Sequence, residues 1–261
     1  MPNRIVRWRL ANRSLSPVEA EILVFAETQS VTPQTEIRGR IAGPTCPYST
    51  TIEVAYPLRR LPQALPGMPL ARRIVIPEPS FWDPTSPFLY RGAIELWEGE
   101  DLHEKISVRY GLRSAVLRSD GLRWNGQRLR LLVSPHEDVQ PRDVASLREH
   151  GYNAAFLDWP DPALVEAAET LGLILLARPA SPADETVESA ALFAWILPRD
   201  WRQAEAEWMR WMQRQRAPIG MYFDAGPVPQ GVAFLIDAPD GPWLRLQTDS
   251  EGELGCIGRS T

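Results

Sequence analysis

Residues 152–179 read YNAAFLDWPDPALVEAAETLGLILLARP, and their punctuation decides the architecture of half the chain. Residues 152–159 are a strand. Asp161 stands at a helix N-cap with Pro162 in the first turn, and Leu164, Val165, Ala168 and Leu171 form one apolar stripe. Gly172 ends the helix over 161–172. Residues 173–179 then run almost wholly apolar, as a strand buried on both faces does. A strand, a helix and a strand in so few residues make a β-α-β unit, which implies a parallel sheet or barrel.

The same rhythm extends both ways. Upstream, 127–134 predicts a strand and 141–151 a helix capped by Gly151. Downstream, 191–197 (ALFAWIL) is a buried strand, 200–217 is the longest helix, and 218–224 and 231–237 are strands. The tail adds one hairpin. Some six strands and three helices fall short of the roughly 250 residues that eight β-α units need. The expectation for 119–261 is therefore an incomplete or degenerate TIM-barrel-like β/α domain. Before residue 119 the character changes. Segments 20–27, 35–42, 50–56, 71–78, 88–98 and 105–112 are short, rich in β-branched and aromatic residues, and separated by turn residues. WEGEDLHEK (97–105) is a hairpin tip. These predict an antiparallel β-sandwich over 1–118.

Composition narrows the function classes. The 261 residues are 44% hydrophobic and 23% charged, with a net charge of −5. Such a balance offers no electrostatic case for nucleic acid or an anionic membrane. Lys105 is the single lysine, and the 25 prolines are about twice the usual share. Cys46 and Cys256 are too few and too far apart for a disulfide framework or metal site, and His103 and His150 lack ligand spacing. The basic start has no apolar run of signal-peptide length behind it and no stretch reaches a membrane span, so the expected location is cytoplasmic. No phosphate-binding loop or nucleophile triad is present and no cofactor is implied.

Chemistry is concentrated at strand ends. In AALFAWILPRDW (190–201) Asp200 closes a buried strand. Asp200 with Gln203 is a capping-box spacing, which explains the acid without catalysis; the other reading is a general acid. Asp158, Asp224 and Asp237 also end predicted strands. In a parallel barrel they gather with Asp200 on the rim where barrel sites lie, although Asp also caps turns. Trp201, Trp208 and Trp211 lie on a helix and read as core; Trp159 and Trp243 follow strands and are better placed for a binding surface. His136 and Glu137 follow the strand 127–134.

Several landmarks occur in an order that resembles glycoside hydrolase family 2, the β-galactosidase, β-glucuronidase and β-mannosidase group. They are FWDPTSPFLYRGAIEL (81–96), Tyr110-Gly111-Leu112-Arg113, Asn125-Gly126, His136-Glu137-Asp138, Gly151-Tyr152-Asn153 and Leu171-Gly172-Leu173. The resemblance implies an immunoglobulin-like sandwich running into the start of a catalytic (β/α)₈ barrel, truncated and divergent. It also implies carbohydrate as the ligand class and a retaining mechanism with two glutamates at strand ends. The chain departs from that pattern where it matters. The family's Asn-Glu falls on Arg199 and Asp200, Phe156 and Leu157 occupy the stretch where an arginine is usual, and Arg178 stands where an acid is usual. No strand offers a convincing nucleophile. The expectation is a non-catalytic relative with a binding or scaffolding role. The alternative is a residual β-glycosidase with Asp200 as acid/base and another rim acid, Asp237, as its partner. A third reading has self-association cover an open barrel edge.

Overall fold

The computed structural model describes residues 2–118, 121–134, 136, 138–183, 187–222 and 226–236, and the backbone of 245–248 and 253–257. The chain divides into two compact units, Met1–Trp82 with Phe88–Leu112, and Asp83–Pro87 with Arg113–Thr261.

The first unit is a sandwich of two antiparallel four-stranded sheets. One has the order β1 (Ile5–Leu15), β2 (Glu19–Thr28), β6 (Arg72–Pro77), β5 (Arg59–Arg60); the other has β4 (Val54–Pro57), β3 (Thr35–Thr45), β7 (Leu89–Glu98), β8 (Asp101–Tyr110). Period-two alternation places Ile22, Val24, Ile74 and Ile76 of one sheet in a common core with Ile37, Ile41, Ile94 and Leu96 of the other. The predicted hairpin tip is the turn between β7 and β8, with Gly99 at φ 62°. At the start of β7, Tyr90 is fully buried and its hydroxyl reaches back ten residues. The Ser80 N–H donates to it at 3.0 Å, and the Tyr90 O–H lies 3.4 Å from the Ser80 carbonyl. Burial pushes its phenol up to about 12. Strand β1 is not among the expected strands: Arg7, Arg9, Asn12 and Arg13 (in IVRWRLANRSL) hide its alternation, because it is an edge strand with a single buried residue, Leu10. The predicted strand 50–56 shrinks to β4.

The second unit holds a small sheet, β11 (Gln127–Arg128), β10 (Gly121–Trp124), β9 (Ala115–Arg118), and a closed eight-stranded barrel. The predicted strand 127–134 is in fact two pieces. Asn125 and Gly126 take φ 50° and 82° and turn the chain into a two-residue hairpin, so β11 belongs to the small sheet. The barrel then begins at β12 (Leu131–Ser134) and continues through β13 (Ala154–Leu157), β14 (Ile174–Ala177), β15 (Leu192–Ile196), β16 (Ile219–Tyr222) and β17 (Val232–Ile236), all parallel. Strand β18 (Arg245–Thr248) joins β17 in parallel. β19 (Glu253–Ile257) turns back antiparallel to β18 and pairs with β12. The expected open edge is therefore absent: β18 and β19 complete the ring between β17 and β12. The barrel is degenerate in its helices, with three among the described residues: α1 (Asp143–Glu149), α2 (Pro162–Leu171) and α3 (Glu205–Met212).

Helix α2 forms as its punctuation requires. Asp161 is extended (φ −68°, ψ 158°) and its carboxylate accepts from Leu164 N at 2.8 Å, while Gly172 closes the helix at φ 77°. The expected helix 200–217 is shorter and broken. A 3₁₀ turn, Trp201–Ala204, precedes α3, and Ala204 (φ −131°, ψ 45°) leaves helical space between them. α3 stops at Met212, before the polar, largely exposed run Gln213–Arg216. Trp201, Trp208 and Trp211 are buried.

Candidate functional site at the barrel mouth

Parallel strands bring their C-terminal ends to one rim, so Asp158, Arg178, Arg199 and Tyr222 share an end of the barrel. Which side chains face inward follows from register. Leu175 pairs with Leu192 but Leu176 pairs with Ala194, so Phe193 is an extra residue that shifts the alternation along β15. A second extra residue, Ala233, does the same in β17. Phe193 and Phe234 then stack at 6.3 Å with planes 8° apart, and Trp124 of the small sheet packs on Phe193 at 6.1 Å. A Cβ on Gly220 would lie 2.2 Å from the Phe234 ring; the glycine makes room for it. The lower barrel is a packed core.

The mouth is closed by aromatic rings as well. Phe156 on β13 and Tyr222 on β16 are separated by two intervening strands, yet their ring centroids are 6.3 Å apart. They meet across the interior. A guanidinium lies on each: Arg178 Cζ is 5.1 Å from the Phe156 centroid and Arg199 Cζ is 3.8 Å from that of Tyr222. Arg178 Nε also donates to Asp158 Oδ1 at 2.9 Å, and the Asp158 side chain is 84% exposed. Beside the mouth, half-buried Trp159 stacks on buried Trp195 at 5.3 Å and 17°. Trp195 meets Trp211 edge-on at 5.6 Å, and Trp211 meets Trp208 edge-on at 5.5 Å. One ring at the rim is thus anchored through the barrel wall to α3.

Asp200 stands first in the 3₁₀ turn, but its carboxylate makes no cap bond. Its backbone (φ −95°, ψ 12°) is not the extended form that aims an N-cap side chain at the next amides; its carbonyl accepts from Gln203 N instead, at 2.9 Å. The capping-box expectation is corrected on this point. Asp200 is exposed. His136 is exposed too, its backbone N–H bonded to Ser134 Oγ at 3.1 Å. Glu137, Asp224, Asp237 and Trp243 lie outside the described residues. Among the described residues no group of three or more His, Cys, Asp or Glu could hold a metal ion, and no helix is long and apolar enough to cross a membrane.

Sequence reasoning identified Asp158 and Trp159 as rim residues and noted Arg178 and Arg199 only as departures. It missed Phe156 and Tyr222 as the floor. The available signal was an arginine shortly after the end of each of two adjacent strands, in LLARP and AWILPRD; the pairing of Phe156 with Tyr222 is long-range and leaves no local trace.

Residues 14–113 match Glycosyl hydrolases family 2. No curated protein matches the chain in sequence. Among solved structures, a family 2 member from Bacteroides cellulosilyticus superposes with a TM-score of 0.62 at 13% identity, over 87% of this chain and 36% of that one. A putative β-galactosidase from Bacteroides fragilis gives 0.63 at 13%, over 90% and 43%. The β-glucuronidase of Parabacteroides merdae gives 0.59 at 14%, over 86% and 34%. The chain spans well under half the length of these structures, and at such identity the likeness is one of fold. Residues 14–113, which make up most of the sandwich, thus match the family 2 glycoside hydrolases, and the chain shares the fold of family 2 structures over most of its length.

Proposed function

We propose that this chain is a non-hydrolytic, ligand-binding relative of family 2 glycoside hydrolases, with saccharide as the ligand class and the barrel mouth as the site. The observation that carries the reading is the pair of guanidiniums on Phe156 and Tyr222. Double displacement needs one carboxylate to attack the anomeric carbon and a second, about 5 Å away, to protonate the leaving oxygen. The described rim acids are poorly suited to either task. Asp158 is exposed and its carboxylate is engaged by Arg178; Asp200 is exposed at the start of a turn. Two positive charges beside an oxocarbenium-like transition state would also raise its energy.

Trp159 supplies what a binding role needs. Its ring is braced by Trp195, so a sugar C–H face can pack on it at little entropic cost. Immunoglobulin-like topology for the sandwich belongs to the same proposal. It is supported by the strand order β1-β2-β6-β5 against β4-β3-β7-β8 and by the Tyr90–Ser80 corner. The test is calorimetric titration with mono- and disaccharides. Saturable binding is expected, weakened by Trp159→Ala. Binding that Trp159→Ala leaves unchanged would remove the site from the mouth.

A further inference from the structure

We propose that His103 is a pH-sensitive latch on the leading end of β1: its neutral ring holds Asn3, and its protonated ring releases Asn3 in exchange for the charge of the Glu98 carboxylate.

The latch joins the edge strands of the two sheets, β1 and β8. Both strands are irregular at this end. Ile5 pairs with Thr28 but Arg7 with Glu27, so Val6 is an extra residue. Leu96 pairs with Glu104 but Trp97 with Leu102, so His103 is another. A bulge re-aims its extra residue, and His103 reaches the start of the chain: the Asn3 N–H donates to its Nδ1 at 3.0 Å. A ring nitrogen that accepts carries no proton, so this imidazole is neutral with its hydrogen on Nε2. Protonation sets a donor against a donor and ends the bond. Asn3 is buried, where an N–H without a partner is costly, so the end of the chain must shift.

The other tethers are acceptors too. Asn3 Nδ2 donates to Glu98 Oε1 and to the Ser30 carbonyl, both at 2.8 Å, and the Ile5 N–H donates to Glu104 Oε2. Of the remaining charged side chains near this end, Arg4 and Asp101 are exposed and Lys105 pairs with Glu95 at 3.2 Å. Hydrogen bonds from Thr35, Asn3 and Thr32 hold the Glu98 carboxyl below the usual carboxylate range, and its charge and that of a protonated His103 attract. The acceptors therefore fail in order. An imidazole changes charge between about pH 5 and 8 and lets go first. Glu98 keeps the Asn3 side chain and is lost only as pH falls through its lowered folded value. In mild acid the start of β1 loosens while the sandwich stays folded.

The test is NMR of the full chain from pH 8 to pH 5, following the imidazole nitrogens of His103 and the exchange of the Asn3 amide corrected for its intrinsic rate. At pH 8 the ring hydrogen is expected on Nε2. Protection of Asn3 is expected to fall about fivefold as the ring takes its proton, while the amides of β2 and β6 keep theirs. In His103→Ala the Asn3 amide is expected to be poorly protected throughout, with no step. Glu98→Gln removes the attracting charge and is expected to move the step to lower pH. A hydrogen on Nδ1 at pH 8, protection of Asn3 that does not change with pH, or a step that survives in His103→Ala would each overturn the latch. A step at the wild-type pH in Glu98→Gln would overturn the part given to that carboxylate.

Discussion

Asp161 and Asp200 both precede a helical turn, and backbone angles decide what their carboxylates do. The first is extended and caps Leu164; the second sits in the bridge region and caps nothing. Asp161→Ala is expected to cost about 1 kcal/mol in chemical denaturation. Asp200→Ala is expected to stay within about 0.5 kcal/mol of wild type, as exposed substitutions away from such features do. Equal losses would contradict the assignment. Tyr90 gives a second test at this scale. Its phenol is raised to about 12 in the folded chain, against about 10 when unfolded, so the folded state disfavours the phenolate. Stability from this group is fully present below about pH 10 and is lost as pH climbs toward about 12, by roughly 1–3 kcal/mol. Tyr90→Phe is expected to be less stable at neutral pH, through the unpaired Ser80 N–H, yet to show a shallower alkaline loss in thermal melts. Parallel alkaline profiles would contradict it.

At the scale of elements, what could be read from the sequence divides by the range of the interactions involved. Helix α2 and its neighbouring strands were legible because Asp161, Pro162 and Gly172 act within one turn of their own position. The division of 127–134 was not: Leu129 and Arg130 look like strand residues, and only the partners of β11 and β12 separate them. The bulges at Phe193 and Ala233 are equally silent, although they decide which aromatic rings fill the barrel. Gly172 and Gly151 both have positive φ, at 77° and 89°, but only Gly172 is also crowded. A Cβ there would lie 2.3 Å from the Pro84 carbonyl oxygen, while nothing lies within 4 Å at Gly151. Gly151→Ala is expected to cost about 1 kcal/mol and Gly172→Ala clearly more, measured by urea denaturation. Equal costs would show that the Pro84 backbone yields freely.

For the whole molecule, counting helices gave too small a barrel. Eight β-α units do not fit the chain, yet eight strands do, because β19 returns antiparallel to β18 and needs no crossover of its own. Closure satisfies the edges that an open sheet would leave for self-association. The same economy leaves the rim with Arg178 and Arg199 on an aromatic floor. The sequence resemblance agrees with the family 2 match over residues 14–113 and with the fold of the family 2 structures, and the departures at these two positions carry the proposed change of chemistry. The most direct test of that change is a sensitive screen with aryl β-galactoside, β-glucoside, β-mannoside and β-glucuronide, run on the wild type beside Asp200→Asn. The account predicts no turnover, or the same trace, in both. Turnover in the wild type that Asp200→Asn abolishes would contradict it and make Asp200 a working acid.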